Sequence, residues 1–154
     1  MKIKITPADE FFSLCVRERA HWTCEYKGTV FEEGRIKGRC LGLHCSHYEG
    51  RGNWSTRFDP MNCFAHSYGS HRLMEAKPAL FNDWVLSQLG EYELNELEHR
   101  SNDTRLGREY RKANKGRGDK NALRTHFKKE FDRLRVMRSD GVQGRLSFCG
   151  FLEV

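Results

Sequence analysis

Two histidines and an asparagine have the residue types and the spacing of a hydrolytic metal site. His47, Asn62 and His71 follow one another as His-x14-Asn-x8-His. A neutral imidazole can accept a proton from water near pH 7, and a second imidazole can bind a divalent cation that contacts a phosphate. We therefore predict that His47 is a general base, that His71 binds one cation and that Asn62 orients His47, for attack on a phosphodiester.

The residues around this triple predict a hairpin followed by a helix. Leu43–Tyr48 has the composition of a strand, and glycines at 50–52 and the pair Asp59-Pro60 mark turns. Residues 62–66 would form the second strand, and a helix would begin near Ser70. This order would carry His47, Asn62 and His71 on three neighbouring elements.

The rest of the chain predicts an α+β fold in which helices support the hairpin. We expect a core over residues 1–98 and a basic helical arm over residues 99–154, packed on the core or extending from it. The predicted elements are helices over 8–19, 79–89, 91–100 and 120–138 and a final strand over 145–152, with Pro78 and Gly90 bounding the second helix and Asp119 capping the last. Residues 101–118 are polar, basic and punctuated by glycine, and no element is predicted for them.

Charge is unevenly distributed along the chain. Residues 99–138 contain 14 Lys and Arg against 5 Asp and Glu, whereas residues 1–98 contain 12 against 14. A basic segment of this kind favours a polyanionic partner such as DNA, although a solvated Arg-rich helix has the same composition. The candidate nucleic-acid-binding residues are Arg51, Arg57 and Arg72 beside the predicted site and Lys112, Lys115, Arg117 and Lys120 in the arm.

Cysteine usage and hydropathy bear on the environment of the protein. No apolar run approaches the roughly 20 residues needed to cross a bilayer, and the first residues lack the apolar stretch of a signal peptide, so we expect a cytoplasmic protein and no membrane partner. Six cysteines occur at positions 15, 24, 40, 45, 63 and 149 without any Cys-x2-Cys pair. Free, partly buried thiols are the default expectation for them.

Three segments around the triple resemble the HNH nucleases of the ββα-metal class, and within them the phage recombination endonucleases of the NinG or Rap type. They are Leu43-His-Cys-Ser-His-Tyr48, the run from Gly50 to Asn62, and Gly69-Ser-His-Arg72. The resemblance implies a treble-clef-like ββα-metal core and a DNA endonuclease that acts on branched or recombination-intermediate DNA. It also implies one divalent cation, Mg²⁺ or Mn²⁺, a homodimer as one form, and the host cytoplasm as the location.

The second metal ligand departs from the pattern of this family. Many HNH enzymes have Asp or His immediately before the base, where this chain has Ser46, a poor ligand. Relatives of the NinG type have an Asp three residues before the base, where this chain has His44. Glu75 lies one turn after His71 on the same helix face, so His44 and Glu75 are both candidate metal ligands.

The zinc knuckles of the family are also incomplete. Cys24 is retained, but Lys27, Ser67 and Ser70 stand where the other three cysteines would be expected. Either packing around Trp22, Tyr26, Phe64 and Tyr68 replaces the zinc, or other ligands such as Cys63 and His66 are recruited; we favour loss of the zinc.

Two further interpretations remain open from the sequence. The missing thiolates and the uncertain second ligand are compatible with a catalytically inactive HNH scaffold that binds nucleic acid or a protein. Single-metal hydrolysis does not require a particular sugar, so RNA is an alternative substrate to DNA.

Overall fold

A computed structural model of the protein describes residues 2–32 and 42–152. Within these ranges it has six α-helices and one two-stranded antiparallel sheet, which confirms the α+β class. No helix in the described ranges is long and apolar enough to cross a bilayer. The elements are α1 (Pro7–Arg19), β1 (Leu43–His47), β2 (Cys63–Ser67), α2 (Tyr68–Ala76), α3 (Pro78–Leu89), α4 (Glu91–Ser101), α5 (Thr104–Ala113) and α6 (Ala122–Ser139), with 3-10 turns at Pro60–Asn62 and Gly118–Lys120.

Local signals explain where α1 begins and which face it buries. Pro7 occupies the first turn, where its missing N–H is not needed, and the Asp9 carboxylate accepts hydrogen bonds from the backbone N–H and hydroxyl of Thr6 at 2.8 Å each. Phe12 and Val16, one turn apart, are fully buried. This face of α1 packs along α6, so the first and last helices of the chain are neighbours.

The hairpin pairs Leu43 with Ser67 at one end and His47 with Cys63 at the other. Side chains alternate between the faces of a strand, so the two faces enter different hydrophobic clusters. The face of Cys63 and Ala65 packs into a larger cluster with α1 and α6, and the face of Phe64 packs into a smaller cluster with α2, α3 and α4. Helix α2 starts directly after β2.

Residues beyond position 98 contribute to the larger cluster, so the basic segment packs on the core. The stretch 101–118, for which no element was predicted, contains α5, whose Leu106 and Tyr110 are 4% and 3% exposed. This helix was missed because two well-spaced apolar residues are enough to fix a helix that docks on an existing core. The last helix is capped by Asn121, whose side chain accepts a hydrogen bond from the N–H of Arg124, and not by Asp119.

The predicted C-terminal strand is absent: residues 145–152 contain no strand. This segment instead runs extended across the larger cluster, where Leu146 and Phe148 are each 7% exposed. One backbone hydrogen bond, from the N–H of Leu146 to the carbonyl of Arg19 (3.0 Å), joins it to the end of α1. Alternation of apolar and polar residues therefore reflects packing on a helical surface, since a strand also needs a neighbouring sheet edge.

Candidate active site

His47 lies at the end of β1 in a single defined tautomer. Its Nε2 is 3.0 Å from the backbone carbonyl oxygen of Arg57. A carbonyl only accepts hydrogen bonds, so Nε2 carries the proton and Nδ1 has the free lone pair. Burial and the neighbouring Arg51 guanidinium lower the pKa of His47 to about 4, so the ring is neutral at pH 7.

The carbonyl that holds His47 belongs to a residue anchored by a buried ion pair. The Arg57 guanidinium donates to both carboxylate oxygens of Asp9 at 2.8 and 2.9 Å and to the carbonyl of Lys4 at 2.7 Å. Burial raises the pKa of Asp9, but the hydrogen bonds from Arg57 and Thr6 outweigh it and leave the pKa lowered. Arg57 is 2% exposed, so its prediction as a nucleic-acid-binding residue is corrected to a structural role.

Asn62 is completely buried and ties together the loop between the two strands. Its Oδ1 accepts from the N–H of Glu49 at 2.6 Å, and its Nδ2 donates to the carbonyls of Glu49 and Thr56 at 2.9 and 3.0 Å. None of these hydrogen bonds involves His47. It acts on His47 through the loop, because Thr56 immediately precedes the residue whose carbonyl accepts from the imidazole.

His71 lies near the start of α2 between the other two candidate ligands. Its Nε2 is 3.1 Å from a carboxylate oxygen of Glu75, and its Nδ1 is 3.1 Å from Nδ1 of His44. Burial lowers the pKa of both histidines, and each is therefore neutral at pH 7. Of the two facing Nδ1 atoms, one donates and the other accepts.

A cavity of about 280 Å³ brings the predicted base and the predicted cation ligand together. His47, His71 and Glu75 all line it, whereas Asn62 does not. Arg51 lines the same cavity, so a guanidinium is available there to an anion. The remaining lining residues are Cys45 and Gly50.

Two cysteines beside the predicted base were missed at the sequence level. The ligand atoms of Cys45, His47 and Cys63 lie within 4.8 Å of one another, so this group could hold a metal ion. The signal that would have found it is the pattern Cys45-x-His47 on one strand with Cys63 directly opposite His47 on the next. A hydrogen bond with Cys63 and the charges of nearby arginines lower the pKa of Cys45, although burial opposes this.

The four positions where the resemblance led us to expect zinc cysteines also converge, as a hydrogen-bonded group that we call the clasp: Cys24, Lys27, Ser67 and Ser70. The Cys24 sulfur lies 3.5 Å from the hydroxyl of Ser70 and 3.7 Å from that of Ser67, and it accepts from the backbone N–H of Lys27 at 3.4 Å. Burial raises the pKa of Cys24, but these hydrogen bonds outweigh it and lower the pKa. Ser67 also accepts from the N–H of Ser70 and so caps α2.

The alternative zinc ligands Cys63 and His66 do not converge. They are three residues apart on one strand and so face opposite sides of the sheet. His66 is fully buried against Trp84, at a ring distance of 4.8 Å. Of the aromatic residues predicted to replace a zinc, Trp22 and Phe64 are buried, but Tyr68 is 53% exposed.

The basic residues of the arm are exposed, and the helix that carries the first of them contacts the active-site loop. Lys112, Lys115, Arg117 and Lys120 all lie at the surface. The N–H of Gly107 in α5 donates to the hydroxyl of Ser55 in the loop at 3.1 Å, and an added Cβ at Gly107 would lie 3.1 Å from that oxygen. Arg72 is exposed near the start of α2, where it donates to the Tyr68 hydroxyl at 2.8 Å.

Comparison with known proteins gives no relative: no protein-family model, no curated protein sequence and no solved structure matches the chain. The resemblance to HNH nucleases therefore depends on the residues quoted above.

Proposed function

We propose that this protein is a metal-dependent endonuclease of the HNH, ββα-metal type that hydrolyses phosphodiester bonds. The observation that supports this most is the fixed tautomer of His47, which leaves the lone pair on Nδ1. His47 lines the same cavity as His71 and Glu75. A hairpin with a helix directly after its second strand supplies all three.

His47 would remove the proton from the attacking water. Its depressed pKa keeps the imidazole neutral but makes it a weak base in the absence of substrate. An anionic phosphate beside Arg51 would offset the guanidinium charge and raise the pKa of His47 towards the range suited to proton transfer. Asn62, Arg57 and Asp9 act as positioning residues, because they hold the loop and the carbonyl to which Nε2–H donates.

The donor set of His71 and Glu75 fits a divalent cation. The nitrogen and oxygen are 3.1 Å apart, close to the separation of about 3.0 Å between adjacent ligands of an octahedral ion with bonds of about 2.1 Å. A Mg²⁺ or Mn²⁺ ion there supplies Lewis-acid stabilisation of the phosphate and the leaving oxygen. His44, through its contact with His71, would orient that ring.

DNA is the proposed substrate, and the basic residues would contact its backbone. Arg51 and Arg72 would bind phosphates near the cut, and Lys112, Lys115, Arg117 and Lys120 would bind phosphates further away. Such contacts orient a duplex without selecting a sequence. The preference for branched DNA, and a dimer to bind it, come only from the family resemblance.

The test is a cleavage assay with branched, nicked and linear DNA and with RNA, each with Mg²⁺, Mn²⁺ or Ni²⁺. We expect cleavage that His47→Ala reduces by about 100-fold or more, with DNA binding retained. His99→Ala is the matched control, because His99 is 73% exposed on α4, and it should cleave like the parent. Full activity of His47→Ala would refute the mechanism.

The same assay tests the inactive-scaffold alternative. Salt-dependent binding without cleavage of any substrate in any of the three metals would favour a nucleic-acid-binding scaffold over an enzyme.

A further inference from the structure

The sheet face that carries the proposed base also carries two thiols. His47 and Cys63 are directly opposed in the register, and Cys45 lies two residues before His47 on the same face. All three ligand atoms lie within 4.8 Å of one another. Tetrahedral zinc with bonds of about 2.3 Å to sulfur separates two sulfur ligands by about 3.8 Å, so small side-chain rotations would close the group around one ion.

The chemistry of this group differs from that of His71 and Glu75. Two thiolates and one imidazole form a soft donor set, which selects zinc and similar ions over Mg²⁺. A carboxylate and an imidazole instead suit Mg²⁺ or Mn²⁺, and the two sets share no residue. The chain therefore offers a soft site and a harder site within one small region.

Access favours binding at this group, and charge favours it at one of the two thiols. The cavity that contains His71 is also lined by Cys45 and His47, so an ion can reach the group from solvent. Arg17, Arg19 and Arg51 exert electrostatic effects on Cys45 that favour its thiolate. Burial and the neighbouring Cys45 raise the pKa of Cys63, so an ion that binds there must displace the proton of that thiol. Two thiolates neutralise a divalent cation, so the bound group adds no net charge beside these arginines.

We propose that Cys45, Cys63 and His47 form a binding site for a soft cation of the Zn²⁺ type, and that an ion bound there inhibits the protein. The Nδ1 lone pair of His47 can either accept a proton from water or coordinate an ion, and it cannot do both. The inhibition rests on the proposed nuclease function, whereas the binding site does not.

The binding test uses Cd²⁺ as a probe under a phosphine reductant, followed by the ultraviolet absorption of thiolate-to-metal charge transfer. We expect one equivalent of Cd²⁺ to bind with this absorption, and we expect its loss in Cys45→Ser and in Cys63→Ser. His47→Ala should weaken binding by about 10-fold or more. Cys149→Ser and Cys24→Ser are matched controls that should keep the absorption, since neither residue belongs to the group.

No absorption in the parent, or absorption that persists in both Cys45→Ser and Cys63→Ser, would overturn the site. Cys63 is completely buried, so circular dichroism checks the fold of its variant. X-ray absorption of the Zn²⁺-loaded parent needs no variant: two sulfur neighbours and one imidazole support the site, and a shell of oxygen neighbours refutes it.

Inhibition is measured separately as Mg²⁺-supported cleavage during a Zn²⁺ titration. We expect cleavage to fall in step with occupancy and to return when a chelator removes Zn²⁺. Full cleavage by the Zn²⁺-loaded parent would overturn the inhibition. Because binding is followed by absorbance, a parent that never cleaves would refute the proposed function and leave the binding result standing.

Discussion

The two ends of the hairpin use sulfur in different ways. At the end where Leu43 pairs with Ser67, the clasp surrounds one thiol with two hydroxyls and a backbone N–H. At the end where His47 pairs with Cys63, two thiols stand beside an imidazole. The clasp end therefore depends on hydrogen bonds between the Cys24 thiol, two hydroxyls and a backbone N–H. The group that could bind a soft metal lies at the other end, which carries the proposed base.

The ends also differ in how they are held. The loop after β1 depends on the buried ion pair between Asp9 and Arg57 and on the hydrogen bonds from the Asn62 amide to backbone groups. Both interactions join residues that are far apart in the chain. The clasp depends on Ser67 and Ser70, the N-cap of α2 and a residue of its first turn, whose hydroxyls are 3.0 Å apart. Removing one of these side chains from the loop end should therefore lower the free energy of unfolding more than a change within the clasp.

The largest expected effect comes from breaking the ion pair at the loop end. Asp9→Ala leaves the buried Arg57 guanidinium without its carboxylate and removes the cap of α1, so we expect the free energy of unfolding to fall by about 3 to 5 kcal/mol. Asp132→Ala is the control, because Asp132 is 59% exposed and pairs with Lys128 at 3.6 Å; it should change stability by less than about 0.5 kcal/mol. Denaturant titration measures both. Equal effects would show that the pair does not hold the loop.

Converting the clasp into a thiolate site is the next largest change. The triple variant Lys27→Cys, Ser67→Cys, Ser70→Cys, with the native Cys24, should bind one more Zn²⁺ per chain than the parent. At free Zn²⁺ a thousandfold above Kd, this adds about 4 kcal/mol to the free energy of unfolding. Elemental analysis and thermal melts with and without chelator measure it, and Cys24→Ser in the triple variant should abolish the gain. No extra zinc would mean that the clasp does not have the geometry of a metal site.

Asn62→Ala should have a smaller but still clear effect. It leaves the backbone N–H and carbonyl of Glu49 without their side-chain partner and removes one of the two hydrogen bonds to the Thr56 carbonyl. We therefore expect a loss of about 2 to 3 kcal/mol and, as a positioning effect on His47, about 10- to 100-fold slower cleavage. Asn95→Ala, at an exposed position of α4, is the matched control and should be neutral in both measurements. Unchanged cleavage by a folded Asn62→Ala protein would show that Asn62 does not position His47 for catalysis.

The smallest effect near neutral pH concerns His66, one residue before Ser67 at the clasp end of the hairpin. Its pKa is lowered to about 4 by burial and by His71, and neither ring nitrogen has a hydrogen-bond partner among the described residues. Because the folded-state pKa lies below that of the unfolded chain, about 6.5, the stability from His66 is complete above pH 6.5. It falls by up to about 1.4 kcal/mol per pH unit between pH 6.5 and 4.

Denaturant titrations from pH 7 to 4.5 test this dependence. His66→Phe should flatten the pH dependence relative to the parent, whereas His99→Phe, at an exposed position, should leave it unchanged. An identical slope in parent and His66→Phe would mean that the buried imidazole does not titrate in this window.

Helix starts, turns and the hairpin could be predicted from sequence because their signals are local. Pro7 and Pro78 open helices, Gly90 adopts a φ of 83° at the end of α3, and the two strands were located to within two residues. The failures were at places where the outcome depends on distant partners. The apolar alternation after Arg145 indicated a strand, but it meets a helical surface and not a sheet edge.

For the candidate site, sequence by itself selected His47, Asn62 and His71 as candidates, because residue type and spacing are local features. The structure places His47 on β1, Asn62 in the 3-10 turn just before β2, where the second strand had been predicted to begin, and His71 on α2. Only the tertiary structure decided which groups meet: the pairing of Arg57 with Asp9, 48 positions away, and the alignment of Cys45 and Cys63 with His47. The physical reason is that ion pairs and strand registers join residues far apart in the chain. Local spacing carries no information about such contacts until the chain is folded.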